Sequence, residues 1–205
     1  MSVTTVWLAR HGETEWAAQD IYNGRRDIPI NARGRAQARQ LARRLRGEPL
    51  AAVYASSLQR CVETARIVAK PHGLTPQADP AFVEVDYGAW DGMPRAEIAA
   101  QYPDLYAAWI ADPASVLPPG GETGYHVLGR AVPALQQVVD QHRGQAVLIV
   151  AHKATNRLLL CHILGIPPRL YRARIGQLPC ALNRIEWHEG EPMVTLLNDV
   201  SFPES

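Results

Sequence analysis

The sequence predicts an α/β fold of three layers. A mainly parallel sheet, with one strand antiparallel, lies between helices and carries a small helical or loop cap. Three observations point there. Short apolar, β-branched runs alternate with segments of helical periodicity, the pattern of a parallel sheet covered on both faces. The last two strand-like segments have no helix between them, so one of them runs against the rest. The chain has 205 residues, 47% hydrophobic and 20% charged, which suffices for one ordinary core without a metal or disulfide staple.

In chain order, the run from Val3 to Ala9 reads as a buried strand that delivers the loop Arg10-His11-Gly12. Asn31 can cap a helix in which Ala38, Leu41, Ala42 and Leu45 share one face, ending at Gly47. Ala51 to Ala55 is a second strand, and Ser56-Ser57-Leu58-Gln59 has the form of a capping box opening a helix to about Ala69. Pro71 and Gly73 break that helix, and Phe82 to Val85 is a short extended segment. Helical periodicity runs from Met93 to about Ala111 with an interruption at Pro103, and the Pro- and Gly-rich residues 112–121 form a loop. A helix from about Thr123 to His142 precedes the strand Gln145 to Val150. Ala151-His152 then opens an apolar helix to Leu164, stopped by Gly165 with Pro167 beyond. Strands near Leu182–Trp187 and Met193–Leu197 complete a single domain over residues 1–205, in which residues about 86–122 are expected to form a cap or pocket rim.

Charge and cysteine content exclude several function classes. Lys plus Arg and Asp plus Glu number 21 and 20, so the net charge is +1, and neither nucleic acid nor membrane is an expected partner. Only Lys70 and Lys153 are lysines; the other 19 cations are arginine, whose fork matches phosphate oxygens. Cys61, Cys161 and Cys180 form neither a C-x-x-C pair nor an even set, against a disulfide framework or a cysteine zinc site. Arg10-His11 comes too early for a signal sequence, and the longest apolar run, Ala146 to Ala151, is far short of a membrane span. The chain therefore reads as cytoplasmic.

In open α/β sheets ligands bind at the carboxyl ends of strands, where His11 and His152 both fall. Around them lies an ordered set of short motifs: Arg10-His11-Gly12-Glu13-Thr14, Asn23-Gly24 through Asp27 to Gly34, Ser56-Ser57-Leu58-Gln59-Arg60 with Thr64-Ala65, Glu84 to Gly92, Gly120-Gly121-Glu122, and Val150-Ala151-His152. This set resembles the histidine phosphatase superfamily, the phosphoglycerate-mutase-like proteins. The resemblance covers Val6 to about Leu164 and implies a phosphoglycerate-mutase-like fold. It also implies a nucleophile at His11, a phosphate pocket of Arg10, Arg60 and His152, and a proton donor at Glu84, with no cofactor and no metal.

Those residue types suit the chemistry. Phosphoryl transfer needs an in-line nucleophile, cations around the equatorial oxygens and a proton for the leaving oxygen. A neutral imidazole can attack phosphorus. Arg10 and Arg60 nearby would disfavour imidazolium, while a cationic His152 would join them in offsetting the phosphate. Asn23, Gly24, Arg25, Tyr87 and Lys153 are candidate substrate contacts, with Tyr22, Trp90, Trp109 and residues 112–121 at the rim. Glu13 and Glu122 could instead be structural acceptors. The expected substrate is a small phosphorylated metabolite, and the apolar residues 156–170 offer a face for a homodimer.

Two positions depart from the family pattern. Ala17 stands where many members place an asparagine that donates to the phosphate; Asn23 or a water could stand in. Lys153 follows the second histidine where many members have glycine, at an end of a helix that is already electropositive. Either Lys153 or Arg25 could therefore meet a second acidic group on the substrate. Two rival readings are a cofactor-dependent phosphoglycerate mutase, against which the short stretch from Gly92 to Gly121 argues, and a non-catalytic interaction module. The C-x4-R spacing of Cys61 to Arg66 is one residue short of a cysteine-phosphatase loop.

Overall fold

Seven consecutive buried residues, Thr4–Arg10, form β1. The computed structural model describes residues 3–201. Within it β1 joins β2 (Leu50–Ser56), β3 (Gln77–Asp79), β4 (Ala146–Ala151), β5 (Leu182–His188) and β6 (Glu191–Asp199) in one sheet of order β3-β2-β4-β1-β5-β6. β3, β2, β4 and β1 are mutually parallel. β5 is antiparallel to both its neighbours, so it is the one strand running against the rest, as the missing helix between β5 and β6 required.

Strand residues alternate between two cores, since successive side chains leave a strand on opposite faces. Val6, Leu8, Val147 and Ile149 pack with Val127, Leu135 and Leu158 of α6 (Gly124–Gln141) and α7 (Lys153–Leu164). Trp7, Ala9, Leu148 and Val150 pack with Leu41, Leu45, Ala65 and Val68 of α2 (Ala32–Leu45) and α3 (Gln59–Ala69). Thr14 caps the short α1 (Glu15–Ala18), Asn31 caps α2 by accepting from Gly34 N at 2.8 Å, and Gly165 closes α7 in the left-handed region at φ +66°. No helix among the described residues is long and apolar enough to cross a membrane.

Two local expectations need correction, the cap of α3 and the place of Trp90 and Trp109, and two others are refined. The helix of α3 begins at Gln59 after Leu58, which provides no side-chain cap, because Ser56 ends β2 and its hydroxyl bonds the His152 ring instead of capping the helix. After Phe82 the backbone is extended at Val83 (φ −64°, ψ 161°), though residues 82–85 join no strand of the sheet. Pro80–Phe82 is a 3-10 turn, and the missed edge strand β3 lies just before it, too short and polar to leave an apolar run. Periodicity from Met93 resolves into α4 (Arg95–Gln101) and α5 (Pro103–Ala111), divided where Pro103 cannot continue the first helix. In this segment Trp90 and Trp109 are 0% and 1% exposed. They form an aromatic cluster with Tyr22, Tyr102 and Tyr106 and are core residues, not rim.

Candidate active site

The register of the two middle strands sets up the site. Arg10 of β1 pairs with Ala151 of β4, so the next residues, His11 and His152, leave the sheet side by side with ring centroids 5.2 Å apart. Directly after His11, Gly12 is required by space: a Cβ there would lie 2.5 Å from Gly34 O. His11 Nδ1 donates to Gly12 O at 2.7 Å. A carbonyl only accepts, so the proton sits on Nδ1 and the lone pair on Nε2. Burial, then Arg60 and Arg10, holds the His11 imidazolium well below its ordinary range.

His11 lines an open cleft with Arg10, Thr14, Ala17, Asn23 and Glu84. Arg10 donates through Nη1 to Gln177 O at 2.8 Å; burial pushes its guanidinium down to about 10, so it stays cationic at neutral pH. Glu84 is 4% exposed, and its carboxylate meets the first turn of α7. Its Oε1 accepts from Val85 N and Thr155 N, and its Oε2 accepts only from Ala154 N, each at 3.1 Å. Thr155 Oγ1 donates to Val83 O at 2.8 Å and lies 3.1 Å from Glu84 Oε1. The carboxyl is thereby fixed at a helix N-terminus, with the Oε2 edge free for a proton.

Arg60 lies behind this cleft, fully buried. It donates through Nη2 to Gly24 O at 2.7 Å, through Nη1 to Arg26 O at 2.9 Å and through Nε to His152 Nδ1 at 3.2 Å. His152 Nδ1 is therefore an acceptor, and Nε2–H donates to Ser56 Oγ at 2.7 Å. Burial and the Arg60 and His11 neighbours hold His152 well below its ordinary range. The expectation of a cationic His152 is thus corrected: this imidazole is neutral, because its nearest charged partner is a cation that donates to it.

Among the candidate substrate contacts, Asn23, Tyr87 and Lys153 line the cleft, whereas Gly24 and Arg25 do not. Asp91 explains why. Its carboxylate accepts from Gly24 N at 2.8 Å, Arg25 N at 2.9 Å and Arg26 N at 3.0 Å, turning this backbone away from the cleft. The Arg25 side chain is spent on Glu122 at 2.9 Å, which Arg130 also holds at 3.1 Å. Glu122 is accordingly a structural acceptor. Asn23 and Ala17 line the same cleft, and both polar atoms of the Asn23 amide are buried without a protein partner. Residues 112–121 do not reach the cleft.

Sequence reasoning missed Asp20, Arg95, Arg157, Tyr171 and Arg172, which also line it. Arg157 had a signal, since it follows Lys153 by four residues in one helix. Arg172, in the short α8 (Tyr171–Arg174), had none. Among the described residues no three His, Cys, Asp or Glu side chains gather as a metal-binding group.

The pattern of the histidine phosphatase superfamily (branch 1) matches residues 6–200. The chain belongs to that superfamily. This histidine phosphatase is a phosphoric monoester hydrolase by membership and by the names of its relatives. It is 34% identical over 159 residues to phosphoserine phosphatase 1 of Hydrogenobacter thermophilus, covering 78% of this chain and 75% of that one. It is 37% identical over 204 residues to a bifunctional protein of Mycobacterium tuberculosis, covering 97% of this chain but only 55% of that longer one. Among solved structures, Bacillus stearothermophilus YhfR superposes with TM-score 0.91 at 32% identity, over 97% of this phosphatase and 98% of that chain.

Proposed function

We propose that the chain hydrolyses a small phosphomonoester without a metal, through a phosphohistidine on His11 with Glu84 as general acid. The observation that carries this reading is the His11 tautomer. With Nδ1–H held on Gly12 O, the Nε2 lone pair is the free one, in a cleft that also contains Arg10 and Glu84. Nε2 attacks phosphorus as the bond to the ester oxygen breaks, and Glu84 gives that oxygen a proton. Water then attacks phosphorus, the P–N bond breaks, and Glu84 recovers a proton from the water. Arg10 offsets charge on the phosphoryl oxygens. Arg60 acts from behind, fixing the loop of Gly24 and Arg26 and orienting His152. Asn23 supplies the amide that Ala17 lacks, its N–H free to meet the phosphate.

The test is trapping. Wild-type protein mixed with substrate and quenched in alkali should carry one phosphoryl group, stable to base and lost in acid, and His11→Ala should carry none. Activity should survive EDTA and be inhibited by vanadate. Wild-type turnover in His11→Ala would overturn the mechanism.

A further inference from the structure

We propose that Lys153, Arg157 and Arg172 form a second anion subsite, so that the substrate is a phosphomonoester bearing another negative group about one helical turn from its phosphoryl group. This rests on the reading of His11 as the phosphoryl site. The cleft holds five cationic side chains, Arg10, Arg95, Lys153, Arg157 and Arg172, against the two carboxylates Asp20 and Glu84. Arg95 is paired with Asp20 at 3.4 Å, and Arg10 stands beside His11. The remaining three have no carboxylate within salt-bridge distance among the described residues.

Their placement is that of a receptor. Lys153 and Arg157 are four residues apart on α7, hence on one face with roughly 5–6 Å between their Cβ atoms. Arg157 Nε is buried and makes no hydrogen bond. Arg172 approaches from α8 with its guanidinium 4.2 Å from the Trp109 ring centroid and donates to Tyr22 OH at 3.3 Å, so its direction is set in advance. Tyr87 and Tyr171 complete this wall. Arg157 and Arg172 are half-buried and Lys153 is exposed beside them, and three neighbouring cations without an anion cost free energy; Lys153 is pushed down to about 8 by desolvation and in part by Arg10, Arg157 and Arg172. An anion on the ligand removes that cost. The phosphoryl group does not fill the role alone: it brings at most two negative charges to a cleft in which Arg10, Lys153, Arg157 and Arg172 all lack a carboxylate partner, and Arg157 and Arg172 stand on α7 and α8, not at the end of β1.

The experiment compares kcat/KM for substrate pairs that differ mainly in the second anion. O-phosphoserine is set against O-phosphoethanolamine and 3-phosphoglycerate against glycerol 3-phosphate, for a carboxylate. Fructose 1,6-bisphosphate is set against fructose 6-phosphate, for a second phosphate. The wild type should favour the doubly anionic member of at least one pair tenfold or more, and the pair that responds identifies the anion. Lys153→Met/Arg157→Met should reduce that preference to twofold or less, mainly through KM, and Arg157→Lys should keep part of it. Circular dichroism confirms that each variant folds. Equal kcat/KM within every pair, or a preference retained in the double variant, overturns the subsite. Hydrolysis of p-nitrophenyl phosphate that depends on His11 separates that failure from failure of the phosphatase reading, which would remove both.

Discussion

Arg60 Nε donates to His152 Nδ1 at 3.2 Å across 92 residues of chain, making the second histidine of the site the acceptor of a cation. The same guanidinium clamps two carbonyls of the loop that carries Asn23. The fork is therefore a positioning device, and its planar geometry matters more than its charge. Arg60→Lys keeps the charge but cannot span Gly24 O, Arg26 O and the imidazole together. We expect a stability loss of about 2–4 kcal/mol in urea denaturation, since buried acceptors lose their donors, together with a fall of at least tenfold in kcat/KM. A variant with wild-type stability and activity would contradict this role.

His11 sets the acid limb of the activity profile. Protonation would occupy the attacking lone pair, but burial and the flanking arginines hold the imidazolium well below the ordinary range. Activity should thus persist as pH falls past 6.5, and the loss on His11's account should come only well below it. A profile of kcat/KM against pH with an inflection at an ordinary imidazole value would count against the assigned environment.

Stability should respond to the same two rings with a definite sign. In the unfolded chain His11 and His152 take up protons near pH 6.5, while in the folded protein both resist. The unfolded state therefore binds more protons below that pH. Stability is intact above 6.5 and declines as pH drops beneath it, by up to about 1.4 kcal/mol per pH unit for each histidine. Urea midpoints at pH 7.0, 6.0 and 5.0 measure the slope, which should be shallower in His152→Gln.

Glu84→Gln separates proton donation from placement. A glutamine retains one carbonyl acceptor for Val85 N and Thr155 N but brings its NH2 group against the N–H of Ala154, at a cost of about 1–3 kcal/mol. Its catalytic effect should depend on the leaving group. Hydrolysis of an alkyl phosphate should fall by about 10²–10⁴, whereas p-nitrophenyl phosphate, whose oxygen leaves without a proton, should lose much less. Equal losses for both would argue that Glu84 is structural only.

Asp91 offers a stability test away from the phosphoryl chemistry. Its carboxylate gathers three successive N–H groups, those of Gly24, Arg25 and Arg26. Asp91→Asn leaves one acceptor oxygen and introduces a donor, so about 1–3 kcal/mol of stability should be lost. The aromatic contact of Tyr22 with Tyr87 should loosen as well, visible as a change in near-ultraviolet circular dichroism.

The layers, the single reversed strand and the emergence of His11 and His152 at strand ends were legible in the sequence. Runs such as Val6–Ala9 and Val147–Val150 record burial, which each residue's own chemistry dictates, and a polar residue that ends such a run must stand at the sheet edge. Which donor meets which acceptor was not legible. Arg60 could have faced phosphate and instead holds carbonyls and a neutral imidazole; Arg25 was turned onto Glu122; Arg157 and Arg172 were brought into a cleft that no local pattern connects. Hydrophobic periodicity is written over a few neighbouring residues, but a hydrogen bond or an unpaired charge depends on groups that only the closing of the sheet and the docking of α7 and α8 bring within 3 Å or leave apart.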